Sequence, residues 1–472
     1  MEDKEQEMHE NLERGLKNRH IQLIGLGGAI GVGLFLGSAT AIELAGPSVL
    51  LTYVIGGIAI YFIMRALGEL SVAYPVSGAF SAHAARFLGP KWGYLTGWTY
   101  WYMWMVTCMA ELTAVGIYMN FWYPDLPQWL SALVALVIMT VVNFIAVSAY
   151  GEFEFWFALV KICTIIFMII SGIGMIVFGI GNGGIATGIA NLWQNGGFFP
   201  NGFSGTLMAL VMVMYSYLGI EIIGVTAGEA HDPKSTIKKA IDEVFWRILI
   251  FYVLSLGVIM SIYPWNEIGH MGSPFVVTFE KLGIAGAADI INIVVITAVL
   301  SSCNSGIFSY GRMLYNLSLQ GNAPACFQTL NRHRLPWVGI LFSAAILLVA
   351  VGLNYVMPAE LFVYVTSVGS FGALWTWFVI LRTQQKFRAS LSEEEKAKLT
   401  YKMPWAPYSG YITMAFLACV VVASAFREDT RVALYVTPVW FILLFIGYRF
   451  VDRGNRAGGA KVVDAVKATA NR

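Results

Sequence analysis

Apolar runs of about 20 residues recur along the chain from Ile21 almost to Val451. A helix needs about 20 mainly apolar residues to cross the hydrocarbon core of a bilayer, which is about 30 Å thick. The pattern therefore predicts an all-α integral membrane protein with twelve transmembrane helices. The predicted spans are 21–44, 48–73, 93–120, 129–149, 155–180, 204–228, 243–264, 287–318, 335–354, 361–382, 409–426 and 432–451.

Composition supports this assignment and excludes several other classes of protein. Of the 472 residues 57% are hydrophobic and 12% charged, with a mean hydropathy of +0.67. Soluble domains carry about 25% charged residues. An ordinary soluble protein, a disordered chain, a coiled coil and a nucleic-acid binder are thus excluded. The five cysteines are scattered and form neither a CxxC motif nor a Cys/His cluster, which argues against a disulfide framework and a metal site.

The distribution of basic residues predicts the orientation of the chain. With the N-terminus inside, the loops on the cytoplasmic side carry most of the Lys and Arg residues, as the positive-inside rule requires. The outer loops carry only Lys281, Arg427 and Arg431. Both termini are therefore predicted to face the cytoplasm. The polar first twenty residues lack the features of a cleaved signal peptide, so the first span should be retained.

Two predicted spans are interrupted by glycine at related positions. The first reads IQLIGLGGAIGVGLFLG, and the sixth reads VMYSYLGIEIIGVTAGEA with Glu221 inside it. Secondary transporters bind substrate at the bilayer midplane, on helices interrupted at corresponding positions of two inverted repeats. Glycines spaced four apart also allow close helix packing in membranes. Because the two spans are five apart, the pair favours a binding site over packing alone.

Ionisable residues within spans are functional candidates, because burying them in a bilayer is costly. Lys161 is the strongest of these candidates, since a desolvated lysine loses its proton readily. The alternative is that its side chain extends to the membrane interface and anchors the helix there. Glu111 is either a proton carrier or a helix–helix hydrogen-bond partner. Arg65 and Glu69 are four apart on the second span, and their spacing predicts an ion pair with each other.

The eighth span carries a run of small polar residues that could receive an ammonium group. It contains Ser301, Ser302, Asn304 and Ser305. Small-residue helix packing is the alternative explanation. Tyr215 and Tyr217, just before the sixth-span break, are placed to cap a substrate, with core packing again the alternative.

Several segments in order resemble the bacterial amino acid permeases, in the amino acid transporter branch of the amino acid–polyamine–organocation superfamily. They are RGLKNRHIQLIGLGGAIGVGLFLGSA, MRALGEL, GEFEFWFALVK, GIEIIGVTAGEAHDPKSTIKKAI and GRMLY…QGNAP, within about residues 12–452. The resemblance implies a LeuT-like five-plus-five inverted repeat with two further helices, and uptake of amino acids by proton symport. The implied division is a tail at 1–20, repeats at 21–180 and 204–382, two helices at 409–451 and a tail at 452–472.

The resemblance also implies the roles of individual residues. Backbone amides of the first break would hold the substrate carboxylate: Ala29, Ile30, Gly31, Val32 and Gly33. Backbone carbonyls of the second break would hold its ammonium group: Tyr215, Leu218, Gly219 and Ile220. Tyr215, with Tyr217, would gate the substrate. Lys161 would occupy the place of the sodium ion of sodium-coupled relatives, bound by carbonyls of the first span and by Ser301 and Ser302, and Glu111 or Glu221 would carry the proton.

The expected function is thus proton-coupled import of a neutral amino acid across the bacterial plasma membrane, with threonine, serine, alanine or glycine favoured. Carriers of aromatic amino acids, proline or histidine, amino acid exchangers, and a sensor that does not transport remain alternatives. An enzyme is disfavoured because no nucleophile–base pair, phosphate loop or metal cluster is visible. No cofactor is expected beyond the proton gradient, nor any nucleic-acid partner; the partners are the amino acid, the proton and lipid, for a monomer or weak homo-oligomer.

Overall fold

The computed structural model describes residues 30–75, 79–144, 147–226, 233–268, 273–281 and 286–470, with side chains described as far as residue 451 in the last range. Within these ranges the secondary structure is helical. The helices are α1 Val32–Phe35, α2 Gly37–Ala45, α3 Val49–Ala73, α4 Ala79–Phe87, α5 Pro90–Met119, α6 Gln128–Val142, α7 Val147–Phe178, α8 Gly202–Tyr215, α9 Ile222–Thr226, α10 Pro233–Asp242, α11 Val244–Ile248, α12 Ser255–Ile262, α13 Trp265–Ile268, α14 Pro274–Lys281, α15 Ala287–Leu319, α16 Trp337–Val356, α17 Leu361–Ala389, α18 Glu393–Lys398, α19 Tyr408–Ala423 and α20 Glu428–Ala470. A π-helical segment, Leu249–Leu254, joins α11 to α12.

Eight helical stretches in the described part of the chain are long and apolar enough to cross a membrane. Three shorter apolar helices, Gln128–Val142, Gly202–Tyr215 and Trp246–Ile262, overlap the predicted fourth, sixth and seventh spans. An all-helical membrane protein is therefore confirmed. The number twelve stays a prediction, because the first nine residues of the first predicted span, 21–29, lie outside the described residues.

The long helices differ in how much of their surface faces other protein. In the most apolar window of α5, 78% of the residues are buried, against 11% for the corresponding window of Glu428–Val451. Helix α5 packs against both α15 and α17, and the three form the centre of the bundle. The outer helices α16 and α20 expose Leu348, Val349 and Ile442, which suits contact with lipid tails. A helix that is apolar all round suits both settings.

Two places near the centre of the bundle are not α-helical. Residues 30 and 31 precede the short helix α1, and a second interruption at Leu36 separates α1 from α2. Residues 216–221 form turns between α8 and α9. Gly219 has a φ of +97°, a conformation that side chains with a Cβ rarely adopt. Of the glycines in the predicted first and sixth spans, Gly31 and Gly219 thus lie in interrupted backbone, while Gly25, Gly27, Gly28 and Gly228 lie outside the described residues.

The predicted ion pair between Arg65 and Glu69 is wrong. Arg65 Nη1 donates to Asp242 Oδ1 at 2.8 Å, and Arg65 Nη2 donates to the carbonyl of Lys402. Glu69 is fully buried and accepts from Arg388 Nε at 2.6 Å and from Arg388 Nη2 at 2.8 Å. Both side chains therefore reach partners on other segments. A two-point contact with a planar guanidinium is stronger than the pairing expected between neighbours on one helix.

Candidate functional site

The first break is buried and faces a carboxylate from α5. Ile30, Gly31, Val32 and Gly33 are all buried, while Ala29 lies outside the described residues. A Cβ at position 31 would lie 2.7 Å from Glu111 Oε1. The Glu111 carboxylate also interacts with the backbone N–H of Val32. An amide of this break thus meets a carboxylate of the protein itself.

The second break is hydrogen-bonded directly to the first. Ser216 Oγ donates to the carbonyl of Gly33 at 2.8 Å, and a Cβ at position 33 would lie 2.7 Å from Ser216 Cα. Only a glycine at position 33 allows this approach. The turn continues through Leu218, Gly219 and Ile220, all buried, with Leu218 N–H donating to the carbonyl of Tyr215 at 3.0 Å. The predicted substrate-binding segments that are described therefore meet at one place.

The two tyrosines predicted as gates have different surroundings. The ring of Tyr215 lies between Gly33 and Gly369, since a Cβ at either glycine would be 3.2 Å from a ring carbon. Tyr217 instead donates its hydroxyl to the carbonyl of Tyr53 at 2.6 Å and packs edge-on against the Tyr53 ring. Tyr215 borders both breaks, whereas the side chain of Tyr217 belongs to a buried tyrosine cluster with Tyr53 and Tyr252.

Lys161 links the first break to the polar run of α15. Its side chain is completely buried. Nζ donates to the carbonyl of Ile30 at 3.2 Å and to Ser301 Oγ at 3.0 Å. Because the lysine is bonded to backbone at the break itself, a change in its charge acts directly on the segment predicted to bind substrate.

A second carboxylate, Glu154, belongs to this cluster and was missed in the sequence analysis. It is buried, and Ser301 Oγ donates to Glu154 Oε1 at 2.6 Å. Glu154 precedes Lys161 by seven positions in GEFEFWFALVK, which is two turns along one face of α7. That spacing was the available signal, but Glu154 lay near the predicted start of the fifth span, where an acidic residue is ordinary.

Glu111 approaches the same cluster from α5. Ser302 Oγ donates to Glu111 Oε1 at 2.6 Å, so the adjacent serines of α15 serve different carboxylates. Asn304, in the same polar run, accepts from Asn143 Nδ2 at 2.6 Å and thereby ties α15 to the end of α6. Ser305 is buried beside them.

Glu221 is placed differently from Glu111 and Glu154. It is buried within the second break, and Trp377 Nε1 of α17 donates to Glu221 Oε2 at 3.3 Å. The carboxylate also interacts with the backbone N–H groups of Gly219 and of Glu221 itself. These contacts stabilise the turn and join it to α17. They do not bring Glu221 to Lys161.

The charges around Lys161 do not balance when every group is ionised. Glu154 and Glu111 both lie close enough for their charges to interact with the ammonium group. Two carboxylates against one ammonium leave one net negative charge in a buried site, and unpaired buried charge is costly. A proton bound within the cluster removes that charge. The arrangement is therefore suited to binding and releasing a proton next to the first break.

Comparison with known proteins decides the family. The family model described as amino acid permease matches residues 20–457. The chain belongs to the amino acid permease family.

Three relatives from Bacillus subtilis (strain 168) resemble this permease over nearly its whole length. It is 60% identical to "Uncharacterized amino acid permease YtnA" over 448 residues, which are 95% of this chain and 96% of the relative. It is 50% identical to "Probable threonine/serine transporter YbxG", covering 95% and 97% of the two chains. It is 45% identical to "Amino-acid permease AapA", covering 94% and 96%.

Membership and the long apolar helices together establish a multi-pass membrane protein of the amino acid transport class. The prediction that the chain is not an enzyme is confirmed, because its relatives are permeases and transporters. The break segments, Tyr215 and the Lys161 cluster lie together at the centre of this permease.

Proposed function

We propose that this permease is a proton-coupled symporter that imports a neutral amino acid by alternating access. The observation that carries the proposal is the bond from Lys161 Nζ to the carbonyl of Ile30. It joins a group that can exchange a proton to the break proposed to hold the substrate. Coupling between two ligands requires that both bind the same conformational state, and a shared structural element meets that requirement.

The substrate is proposed to lie across the two breaks. Its carboxylate would accept from amides in the segment from Ala29 to Gly33, and its ammonium would donate to carbonyls of Tyr215 and of Leu218–Ile220. The ring of Tyr215, between Gly33 and Gly369, would cover the bound amino acid. Interrupted helices offer both kinds of backbone group without formally charged side chains.

A small neutral amino acid is the favoured substrate: threonine, serine, alanine or glycine. The 50% identity to a relative named as a probable threonine/serine transporter supports this choice. Carriers of aromatic amino acids, proline or histidine, an exchanger, and more remotely a sensor without transport are the competing functions.

The proposed architecture has twelve transmembrane helices, with a five-plus-five inverted repeat at 21–180 and 204–382 followed by two more spans at 409–451. The location of basic residues supports cytoplasmic termini. In this arrangement the first and sixth spans, which contain the breaks, move against the other helices. The proton gradient is the driving force, and the unit is a monomer or weak homo-oligomer.

Uptake into proteoliposomes tests the proposal. Labelled threonine, serine, alanine or glycine should accumulate only with an inward proton gradient, and only small neutral amino acids should compete among all twenty. Lys161→Ala should abolish gradient-driven accumulation and retain exchange of labelled for unlabelled substrate. Lys386→Ala, which removes an exposed lysine of α17, is the control and should transport normally. Unchanged proton dependence in Lys161→Ala contradicts the proposed role of the lysine, and exchange without accumulation in the unaltered protein contradicts symport.

A further inference from the structure

The serine of α15 that contacts Lys161 also contacts a second ionisable group. Ser301 Oγ accepts from Lys161 Nζ at 3.0 Å and donates to Glu154 Oε1 at 2.6 Å. All three side chains are completely buried. A hydroxyl can accept one hydrogen bond while it donates another. Lys161, Ser301 and Glu154 therefore form a continuous hydrogen-bonded chain with both serine functions in use.

The direction of this chain is set by the helix that carries both of its ends. Glu154 is seven residues nearer than Lys161 to the N-terminal end of α7, or about 10 Å along the helix axis. The distribution of basic residues predicts that this end faces the cytoplasm. The carbonyl of Ile30, which also accepts from Lys161 Nζ, belongs to the first break. The chain thus runs from the break toward the inner face.

We infer that Glu154 receives the coupled proton from Lys161 through Ser301 and releases it toward the cytoplasm. This inference rests on the proposed proton symport and adds the path that the proton takes.

The transfer is balanced and needs no other reactant. An N–H bond of the Lys161 ammonium breaks as an O–H bond forms on Ser301. The original O–H bond of Ser301 breaks as an O–H bond forms on Glu154. The products are a neutral amine, the same serine hydroxyl and a neutral carboxylic acid. The transfer replaces an ion pair by two neutral groups, which lowers the cost of keeping both in a buried site.

Glu111 is the other titratable group near Lys161, and its contacts suit a different role. It faces the cluster from α5 and accepts from Ser302 rather than from Ser301. It also lies against Gly31 and interacts with the amide of Val32. Glu111 therefore contacts the first break, whereas Glu154 is linked to Lys161 through Ser301. Among the contacts described, no serine hydroxyl bonds both to Glu111 and to Lys161 or Glu154.

The test uses Glu154→Gln and Ser301→Ala in the full-length permease, reconstituted in proteoliposomes with a pH-sensitive dye inside. Gln keeps an oxygen that accepts from Ser301 but cannot take the proton. Ala at position 301 keeps both charges and removes the connecting hydroxyl. Both variants should retain substrate exchange within about twofold, while proton-driven accumulation and internal acidification fall at least tenfold. Ser301→Thr retains the hydroxyl and should restore acidification to near the level of the unaltered protein.

Glu152→Gln is the matched control, since it removes a carboxylate two positions earlier on the same helix, and it should acidify the interior normally. The possible failures are distinguishable. If the unaltered protein shows no proton-driven accumulation, both the proposed symport and the proposed proton transfer to Glu154 are wrong. If the unaltered protein accumulates substrate with the proton gradient and Glu154→Gln still acidifies the interior normally, only the proposed proton transfer is wrong. Loss of both exchange and thermal stability in both variants also contradicts the proton transfer and indicates a structural role.

Discussion

The hydroxyl of Ser216 donates to the carbonyl of Gly33 at 2.8 Å, which joins the two interrupted segments by a single direct hydrogen bond. With its proton on Gly33, the same hydroxyl accepts from Tyr53 Oη, 3.1 Å away, and the Ser216 carbonyl accepts from Tyr252. The second break is thus held both to the first break and to the tyrosine cluster. A movement of either break must be transmitted through Ser216 or must break this bond.

Gly33→Ala should reduce transport at least tenfold. Its Cβ would lie 2.7 Å from Ser216 Cα, which is backbone and cannot rotate away, so the two breaks must separate. Initial rates of uptake in proteoliposomes measure the effect. Gly352→Ala is the matched control, because a Cβ at that position of α16 meets nothing within 4 Å. Equal rates in the two variants would show that close contact between the breaks is not needed.

Tyr217→Phe and Tyr215→Ala should affect different properties. Loss of the Tyr217 hydroxyl removes its bond to the carbonyl of Tyr53 and should lower stability by about 1 kcal/mol while KM stays unchanged. Tyr215→Ala opens the space between Gly33 and Gly369 and should raise KM at least fivefold. Thermal unfolding in detergent and concentration-dependent uptake separate the two effects. A raised KM in Tyr217→Phe would support the predicted role of Tyr217 in gating the substrate.

Glu69→Ala should lower stability by about 3 kcal/mol, because it leaves Arg388 without its buried partner. It also removes the acceptor for Gln384 Nε2 and for the backbone N–H of Met403. Denaturation in detergent measures the change. Glu393→Ala removes a carboxylate that is 90% exposed and paired with Lys396, and should cost less than 1 kcal/mol. Similar losses in both variants would mean that the Glu69 contacts contribute no more than a surface pair.

Acid should destabilise the protein through His83, which lies in α4 between the predicted second and third spans. Burial lowers the pKa of His83 to about 3 from its usual 6.5, with the charge of Arg86 adding to the shift. Between about pH 3 and pH 6.5, His83 is therefore protonated in the unfolded chain and neutral in the folded chain. The contribution of His83 to stability is complete above about pH 6.5 and falls by about 1.4 kcal/mol per unit as the pH drops toward 3.

The comparison of His83→Leu with the unaltered protein checks this expectation. Between pH 7 and pH 5, the free energy of unfolding in detergent should change by about 2 kcal/mol less in His83→Leu than in the unaltered protein. An identical pH dependence in His83→Leu would contradict the assignment.

The sequence carried enough information for the helices, the breaks and Lys161, because each leaves a local signal. Apolar runs define the spans, Gly31, Gly33 and Gly219 mark the breaks, and a lysine in an apolar segment is conspicuous. Tertiary partners leave no such signal. Arg65 and Glu69 looked like a local pair, yet their partners Asp242 and Arg388 lie 177 and 319 positions away. Glu154 was missed because its role depends on Ser301, which is 147 positions away.

The contacts of Arg65 and Glu69 have a consequence for how the permease changes conformation. They tie α3, from the first proposed repeat, to α10, α17 and the segment 401–403, from beyond it. Tyr401 takes part in the Arg65 contacts, with its hydroxyl donating to Asp242 and its ring 3.9 Å from the Arg65 guanidinium carbon. These contacts therefore hold α3, α10, α17 and the segment 401–403 to one another, across the boundary between the proposed repeats. In the proposed cycle these segments belong to the part of the permease against which the first and sixth spans move, so a covalent link between α3 and α17 at this end should leave the rate of uptake unchanged.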